Sequence, residues 1–181
     1  LIQAQVVRVV TALQDPNPKV NGAGIKALKA AGIKVTTGVM ADEAAELNRG
    51  FCHHMQMGKP YVRLKMAVSL DGKIATAAGE SQWITGETAR ADVQQLRAQS
   101  GAVITGVGTV LSDNPRLNVR LENALQPLRV VMSRGTRMPH DAQLLSLPGD
   151  TWVEPGSPEA VLQKLSGHNI HSVLIESGPM L

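Results

Sequence analysis

At 181 residues, the chain is long enough for one domain with a sizeable core, or for one domain and part of a second. Its 43% hydrophobic and 18% charged residues are ordinary for a soluble globular protein, and no apolar run approaches the roughly 20 residues of a membrane span. The net charge of +3 comes from dispersed basic residues in a chain with two Trp, one Tyr and one Phe, which argues against a nucleic-acid surface. The single Cys excludes an internal disulfide and suits a reducing cytosol.

The first forty residues predict a parallel crossover unit. Residues 6–13 are apolar and β-branched, which predicts a strand, and the turn formers at 15–18 end it. A helix is predicted over 22–31, with Gly32 as its stop, and a second strand over 33–39. Strand, helix and strand in this order are typical of two parallel strands joined through a helix.

An amphipathic helix is predicted over 42–57, and residues 58–60 lead from it to the next strand. It contains Cys52, His53 and His54 in succession, residue types that bind metals. Neighbours on a helix diverge by about 100°, so three consecutive side chains cannot converge on one ion. We therefore predict no metal site here and interpret the helix as a connection between two domains.

The rest of the chain is organised around residues 61–86. Alternating side chains at 61–68 predict a strand, residues 69–72 predict a polar loop, and Thr85 is the expected cap of the following helix. A strand that leads through a polar loop into a helix commonly borders a ligand-sized crevice.

Two features of this stretch allow more than one interpretation. The Asp71-Gly72 pair either belongs to a site or forms only a tight turn. Trp83 follows Ser81 and Gln82 on a polar loop, which favours a binding role over core filling, with a loop anchor as the alternative.

The helix predicted over 86–99 has two faces. Apolar positions indicate the buried face, and polar positions spaced i, i+4 and i+7 indicate the solvated face. The apolar set is Ala89, Val93 and Leu96, and the polar set is Arg90, Gln94 and Arg97.

A buried strand is predicted over 102–105, and Gly106-Val107-Gly108 leads from it into a short helix. Glycines between a strand and a helix let backbone N–H groups approach an anion at the helix start. The third Gly of the usual dinucleotide-binding fingerprint is missing, so this signal is weak by itself.

Four further strands are predicted over 117–120, 129–133, 150–153 and 172–175, with a helix over 158–165 that Gly167 stops. Glu176 directly follows the last strand, a position where sheet proteins place site residues and where a solvated strand end is equally common. The chain begins without a Met and stops soon after this strand, so we expect a fragment.

Long ordered motifs then identify a family. The string K-M-A-V-S-L-D-G-K-I-A-T-A-A-G-E-S-Q-W-I-T, followed by R-A-D-V-Q-Q-L-R-A, G-V-G-T-V-L-S-D-N-P and I-E-S-G-P, closely resembles the reductase domain of the bifunctional riboflavin-biosynthesis deaminase/reductase. Residues 14–20 with Gly22 and Gly24 resemble the end of its deaminase domain. The resemblance thus spans essentially the whole chain.

The resemblance implies an α/β fold in two parts. A remnant of a cytidine-deaminase-like layer would be followed by a truncated dihydrofolate-reductase-like domain. Residues 1–41 would be the end of the deaminase domain, 42–60 the linking helix and 61–181 the reductase domain, cut at its C-terminus. The zinc motifs of the deaminase part, His-Ala-Glu and Pro-Cys-x-x-Cys, are not in this sequence, so zinc would belong only to the missing part.

The implied reaction is NADPH-dependent reduction of the ribosyl group of 5-amino-6-(5-phosphoribosylamino)uracil to ribityl, in the cytoplasm. The partner would be this phosphorylated pyrimidine, without nucleic acid or membrane, and a homo-oligomer is left open. An inactive cofactor-binding or scaffolding fragment of the enzyme is the alternative, because hydride transfer needs the whole cofactor clasp.

The resemblance also implies roles for individual residues, with no metal ligand among them. Lys65 and Glu176 would act in catalysis by orienting the open ribosyl chain. The implied substrate-binding residues are Ser81, Arg97, Leu117 and Arg120, the two arginines for the phosphate. The implied cofactor-binding residues are Ala67, Trp83, Thr109, Asp113, Ser133 and Gly178.

Overall fold

The structure, a computed structural model, describes residues 1–135 and 138–178. The chain divides into one unit at Leu1–Tyr61 and a second at Val62–Leu181. Both units contain parallel strands joined through helices, so the α/β prediction is confirmed. Pro179, the last residue of the I-E-S-G-P motif, lies outside the described residues.

The first unit contains the predicted crossover. Strand β1 (Arg8–Thr11) pairs in parallel with β2 (Lys34–Thr37), and helix α1 (Ala23–Ala30) lies between them in sequence. Gly32 follows α1 with φ 80°, a left-handed conformation that glycine adopts without steric cost. Among the described residues of this unit, Ile33 is the one buried large hydrophobic side chain, so these two strands have little core of their own.

The single helix predicted over 42–57 is two helices in the structure, α2 (Ala41–Leu47) and α3 (Arg49–Met57). Asn48 separates them with φ −109° and ψ 20°. Its side-chain amide donates to the Ala44 carbonyl at 2.9 Å. Asparagine competes for backbone hydrogen bonds in this way, which interrupts a helix that hydrophobic spacing alone would continue.

The second unit is built on a five-stranded sheet with strand order β3-β7-β4-β5-β6. Strand β4 pairs in parallel with β5 and with β7, and β5 pairs in parallel with β6. The elements are β3 (Tyr61–Leu64), α4 (Glu87–Ala98), β4 (Ala102–Gly106), α5 (Val107–Asp113), β5 (Leu128–Met132), α6 (Gln143–Ser146), β6 (Thr151–Glu154), α7 (Pro158–Gly167) and β7 (Ser172–Ile175).

The central strands are buried on both faces because helices cover each side of the sheet. On one face, Val103 and Leu174 pack with Val110 of α5 and Leu144 of α6, and Leu96 of α4 packs against them. The other face packs against α7 through these residues: Ala102, Ile104, Val130, Val161, Leu165 and Val173. Strands covered on both faces are near-continuously apolar, which matches the sequence of β4 and β5.

The strand order reverses beside β4. The chain moves outward from β4 to β5 and β6, and then returns through α7 to place β7 on the other side of β4. The carboxyl ends of β4 and β7 therefore lie at a topological switch point, the place where open parallel sheets form a ligand-sized crevice. Open parallel sheets bind ligands at such points.

Strand β3 is shorter than predicted, since it ends at Leu64 and not at residue 68. The alternation nevertheless continues along the extended segment to residue 70. The even positions are exposed, namely Val62, Leu64, Met66, Val68 and Leu70. The odd positions are half-buried, namely Arg63, Lys65, Ala67 and Ser69. Polar and small residues thus face inward along this segment.

The strand predicted over 117–120 is absent from the described structure, where these residues form a loop. Leu117 has φ 51°, which breaks an extended conformation. The backbone of Val119 pairs instead with the Gln126 amide, which accepts from the Val119 N–H and donates to its carbonyl, both at 2.9 Å. The Gln126 side chain, seven residues away, thus provides the two backbone hydrogen bonds that a neighbouring strand would otherwise make.

The start of helix α4 also differs from the prediction. Its N-cap is Gly86, and no side chain of the described residues caps the helix, so the prediction for Thr85 is wrong. The Thr85 carbonyl instead accepts from Arg90 Nη1 at 2.7 Å. Arg90 thus folds back over the first turn of the helix.

A buried arginine fastens the loop that leads into β6. Arg129 of β5 is 1% exposed and donates to the carbonyls of Leu147, Pro148 and Gly149 and to Thr151 Oγ1. Burial lowers the pKa of its guanidinium, and the nearby Asp150 charge partly offsets that effect. One charged side chain thus donates to all three backbone carbonyls.

We expect Arg129→Met to lower the free energy of unfolding by about 3 kcal/mol or more, because it removes four hydrogen bonds to a charged group and one such bond is worth about 1.5–3 kcal/mol. Urea unfolding followed by circular dichroism measures the change. The matched control is Arg134→Met at an exposed arginine near the end of the same strand, which should shift stability by less than about 0.5 kcal/mol. Equal losses in the two variants would contradict the structural role of Arg129.

Candidate active site

Glu176 lies at the crevice between β4 and β7. It is the first residue after β7, and its N–H donates to the Ile104 carbonyl at 2.9 Å, which extends the pairing of β7 with β4 by one residue. Its side chain is only 8% exposed. The interpretation of Glu176 as a solvated strand end is therefore wrong, and the carboxylate requires partners inside the protein.

Arg97 is the main partner of this carboxylate. Arg97 Nε donates to Glu176 Oε1 at 2.6 Å, and Arg97 Nη2 donates to Glu176 Oε2 at 3.0 Å. A third donor, Nη1, reaches the carbonyl of Asn118 at 3.0 Å. This paired geometry is the strong, directional form of an arginine–carboxylate contact.

The polar stripe of α4 is thus not the solvated face that the sequence predicts. Gln94 is 8% exposed and Arg97 is 9% exposed, and they are the two buried residues of the helix. Of the set predicted to face inward, Ala89 is exposed. The polar side chains are buried because each has a partner: Arg97 binds Glu176, and Gln94 Oε1 accepts from the Arg120 N–H at 3.0 Å.

Lys65 completes a cluster of three charges. Its Nζ lies 3.7 Å from Glu176 Oε2, and its backbone N–H donates to the Ile175 carbonyl at 3.0 Å. The side chain of Lys65 is 33% exposed, whereas that of Glu176 is 8% exposed and that of Arg97 is 11% exposed. Glu176 and Arg97 are therefore both buried, and Lys65 is the most exposed of the three. Lys65 is the member that a bound molecule can reach.

The predicted substrate residues Leu117 and Arg120 lie on the loop beside this cluster. Leu117 is buried against the core, and Arg120 is exposed. Arg97 and Gln94 both bind the backbone of this loop, at Asn118 and Arg120. Among the described residues, no carboxylate lies within salt-bridge distance of the Arg120 guanidinium, so the helix fixes the backbone while the charged end faces solvent.

Two predicted cofactor residues meet across the crevice. The Gly178 N–H donates to Thr109 Oγ1 at 3.1 Å, which links the segment after β7 to the helix after β4. Ser133 directly follows β5, and Asp113 is the exposed last residue of α5. These residues follow strands whose carboxyl ends lie at one edge of the sheet.

The segment over 65–86 carries the other predicted residues. Ser69 and Asp71 form a local turn in which the Ser69 hydroxyl binds the Asp71 carboxylate at 2.5 Å and Gly72 has φ 79°. Asp71 and Gly72 therefore form the tight turn that was one of the two interpretations of this pair. Ser81 is exposed, and Trp83 is 71% exposed, with the Arg90 guanidinium 4.4 Å from the centre of its ring. This stack anchors one side of the ring.

Sequence patterns give no signal for three further buried or half-buried residues of this region. Helical spacing places Gln94 on the solvated face, and Asn118 participates through its backbone carbonyl, which no side-chain pattern signals. Thr105 is fully buried, and its Oγ1 has no hydrogen-bond partner among the described residues. It is two residues beyond Val103 on β4, as Glu176 is two beyond Leu174, so alternation places both on the same face of the sheet.

Over residues 1–135 and 138–178, no group of three or more His, Cys, Asp or Glu side chains is placed to hold a metal ion. In the same residues, each helix is too short or too polar to cross a membrane.

Comparison with known proteins connects this geometry to a family. Residues 60–181 match the family model described as the RibD C-terminal domain. The riboflavin biosynthesis protein RibD of Escherichia coli (strain K12) is 40% identical over 217 residues, which cover 100% of this chain and 59% of that protein. The chain thus spans less than two thirds of the length of this relative.

Solved structures agree with the sequence comparison. A structure of Acinetobacter baumannii RibD, form 1, matches with a TM-score of 0.89 and 47% identity and covers 98% of this chain and 56% of that chain. A Thermotoga maritima protein, named as a diaminohydroxyphosphoribosylaminopyrimidine deaminase/5-amino-6-(5-phosphoribosylamino)uracil reductase, matches with a TM-score of 0.88 and 32% identity, covering 98% and 55%. The resemblance found in the sequence motifs is confirmed. Because the family model covers well over half of the chain, the protein belongs to the RibD C-terminal domain family.

Proposed function

We propose that the second unit reduces the ribosyl group of 5-amino-6-(5-phosphoribosylamino)uracil to ribityl with NADPH, as part of a bifunctional deaminase/reductase of riboflavin biosynthesis. The observation that carries the proposal is the Lys65–Glu176–Arg97 cluster at the carboxyl ends of β7 and β4, where parallel sheets bind ligands. The name of the Thermotoga maritima neighbour gives the same reductase activity to that protein, which supports the proposal.

The chemistry requires a carbon that accepts hydride to be held against its donor. C1 of the opened ribosyl chain is imine-like, so reduction adds a hydride to C1 and a proton to the adjoining nitrogen. When bound, the nicotinamide cofactor supplies the hydride. The protein must hold the reacting atoms about 3–3.5 Å apart. We assign Lys65, whose side chain is 33% exposed and whose Nζ lies 3.7 Å from Glu176 Oε2, to orient the hydroxyls of the open chain.

The residues around the crevice fit a nicotinamide cofactor. Thr109 Oγ1 accepts from the Gly178 N–H, and its own hydrogen remains available to an acceptor on the cofactor. A Cβ added at Gly108 would meet nothing within 4 Å, so the start of α5 borders open space. We assign cofactor binding to Thr109, Gly178, Asp113, Ser133, Ala67 and Trp83.

The exposed guanidinium of Arg120 is the best candidate to bind the substrate phosphate. Paired N–H donors suit a phosphate, and Gln94 fixes the backbone that carries this side chain. Leu117 and Ser81 are assigned to the substrate with it. The phosphate role predicted for Arg97 stays a prediction. Three of its N–H donors bind Glu176 and the Asn118 carbonyl.

We also propose the domain limits implied by the sequence: 1–41 for the end of the deaminase domain, 42–60 for the link and 61–181 for the reductase domain. The division of the chain at Tyr61 and Val62 and the start of the family match at residue 60 support the second of these limits.

The intact polypeptide that carries this sequence should consume NADPH when 5-amino-6-(5-phosphoribosylamino)uracil is added, with one ribityl product per NADPH oxidised. Absorbance of NADPH and chromatography of the product measure the two quantities. Equilibrium binding of NADPH without oxidation in the presence of the substrate would contradict the proposal and identify a cofactor-binding or scaffolding protein instead.

Lys65→Ala should lower kcat roughly tenfold to a hundredfold, the equivalent of losing a hydrogen bond from a charged group worth about 1.5–3 kcal/mol. NADPH affinity should stay within about twofold, because Lys65 is assigned to the substrate. Steady-state kinetics and NADPH titration provide the two values. Lys59→Ala, at an exposed lysine of the first unit, is the control with unchanged kinetics. Unaltered turnover in Lys65→Ala would remove Lys65 from the site.

Arg120→Ala should raise the KM for the phosphorylated substrate by about ten- to a hundredfold and leave kcat nearly constant, because the contact is made equally in the ground and transition states. Arg116→Ala is the matched control, since this exposed arginine on the same loop contacts Gln143. A rise in the KM for NADPH with no change for the substrate would show that Arg120 binds the cofactor.

A further inference from the structure

Arg90 bends back from helix α4 over the segment that precedes the helix. Its Nη1 donates to the Thr85 carbonyl at 2.7 Å, and the centre of its guanidinium lies 4.4 Å from the centre of the Trp83 ring. The side chain of Arg90 is 32% exposed, whereas that of Glu87, whose Oε1 lies 3.9 Å from Arg90 Nη2, is 95% exposed. The guanidinium is therefore held by Trp83 and Thr85, and the exposed ion pair adds little.

The stability of the helix does not account for the position of this cation. Arg90 is the fourth residue of α4, which begins at Glu87 after the N-cap Gly86. The N-terminal end of a helix carries a partial positive charge, so an arginine is favourable at the opposite end and unfavourable here. By folding toward Thr85, the guanidinium moves still closer to the N-terminal end. The contacts with the preceding segment must therefore compensate for an unfavourable interaction with the helix dipole.

The Trp83 ring depends on this contact for its orientation. Trp83 is 71% exposed, so the apolar core does not hold it, although tryptophan is highly buried on average. A guanidinium stacked on an indole covers one face of the ring and leaves the opposite face free. An aromatic surface that is held from behind and open in front suits a second planar ring, which prefers an offset stack.

Trp83 is one of the residues assigned to the nicotinamide cofactor, whose base rings are planar. An exposed side chain that is free to rotate must be ordered when a ligand binds, and this ordering weakens the affinity. A side chain that is already held in place avoids most of this loss. Arg90 can therefore strengthen cofactor binding through the tryptophan without touching the cofactor itself.

We propose that Arg90 is a positioning residue for the cofactor, an inference that rests on the proposed function. It holds the Trp83 ring with one face open, and a planar ring of NADPH stacks on that face. The uracil ring of the substrate has the same stacking chemistry, so the experiment measures the two ligands separately.

A cycle of variants in the intact polypeptide tests whether Arg90 acts through Trp83. Isothermal titration calorimetry gives the NADPH dissociation constants of wild type, Arg90→Met, Trp83→Ala and the double variant. We expect Arg90→Met to raise the constant about three- to tenfold when Trp83 is present and less than about twofold in Trp83→Ala. An unchanged constant in Arg90→Met, or an equal loss with and without the tryptophan, would overturn the inference.

Two further variants separate the stack from the other contacts of Arg90. Glu87→Gln removes the exposed ion pair and should leave the NADPH dissociation constant within about twofold of wild type. Arg90→Gln keeps a donor for the Thr85 carbonyl and removes the cation, and it is the second variant in case Arg90→Met does not fold. We expect Arg90→Gln to lose as much affinity as Arg90→Met. Normal affinity in Arg90→Gln would refute the role of the stack.

Fluorescence tests the stack without any ligand. The signal of Trp83 is the difference in emission between a protein and its Trp83→Ala counterpart, so the four proteins of the cycle suffice. We expect Arg90→Met to raise the acrylamide quenching constant of this signal by up to about twofold, because the covered face of the ring becomes accessible. The same quenching constant with and without Arg90 would contradict the inference.

Steady-state kinetics identify the ligand that stacks on Trp83. Arg90→Met should raise the KM for NADPH about three- to tenfold, while kcat and the KM for 5-amino-6-(5-phosphoribosylamino)uracil stay within about twofold of wild type. A rise confined to the KM for the uracil substrate would overturn the inference, because it would place the substrate ring on the tryptophan.

These measurements keep the inference distinct from the proposed function. A wild-type protein that binds NADPH but does not oxidise it with the substrate, together with a loss of affinity that requires Trp83, would refute the reductase function and retain the role of Arg90. Wild-type turnover together with equal losses in both backgrounds would retain the function and refute the positioning role.

Discussion

The second unit depends on a carboxylate buried at the end of a strand. Glu176 cannot be stable at 8% exposure unless its charge is balanced, and a paired contact from Arg97 provides that balance. The two residues are 79 positions apart, so their contact fixes helix α4 against the end of β7. Two neighbours contact this pair: Lys65 Nζ lies 3.7 Å from Glu176 Oε2, and the Asn118 carbonyl accepts from Arg97 Nη1.

The reversal of strand order explains why distant segments meet here. Strand β7 returns to the side of β4 opposite β5, so the residues that follow β7 lie beside those that follow β4. A hydrogen bond from the Gly178 N–H to Thr109 Oγ1 joins these two segments. Topology supplies the crevice, and the side chains that follow the strands supply its chemistry.

Local elements are predictable from the sequence because they depend on short-range patterns. Continuous apolar runs indicate buried strands such as β4 and β5, and spacing together with Gly32 indicates α1. The failures come from polar side chains that act at a distance. Gln126 replaces a strand partner for Val119, so a sequence that alternates like a strand forms a loop.

The same limit explains which part of the site is predictable. Glu176 can be singled out by its position after a strand, but its burial depends on an arginine that the helical pattern of α4 assigns to the solvated face. Hydrophobic spacing assumes that polar faces point to water, and it fails where a polar face finds its partners inside the protein. The roles of individual site residues come from the resemblance of the sequence motifs, because helical and strand spacing do not indicate them.

The alternation along residues 62–70 makes the length of this segment a functional constraint. Lys65 faces inward because it comes two residues after Arg63, which is one repeat of an extended chain, whereas Leu64 and Met66 point outward. A single-residue insertion or deletion within residues 61–64 would reverse the two faces beyond it and bring an apolar side chain toward Glu176. The exposed side chains and the turn after Leu70 are outside this constraint, whereas the number of residues from Tyr61 to Lys65 is fixed by it.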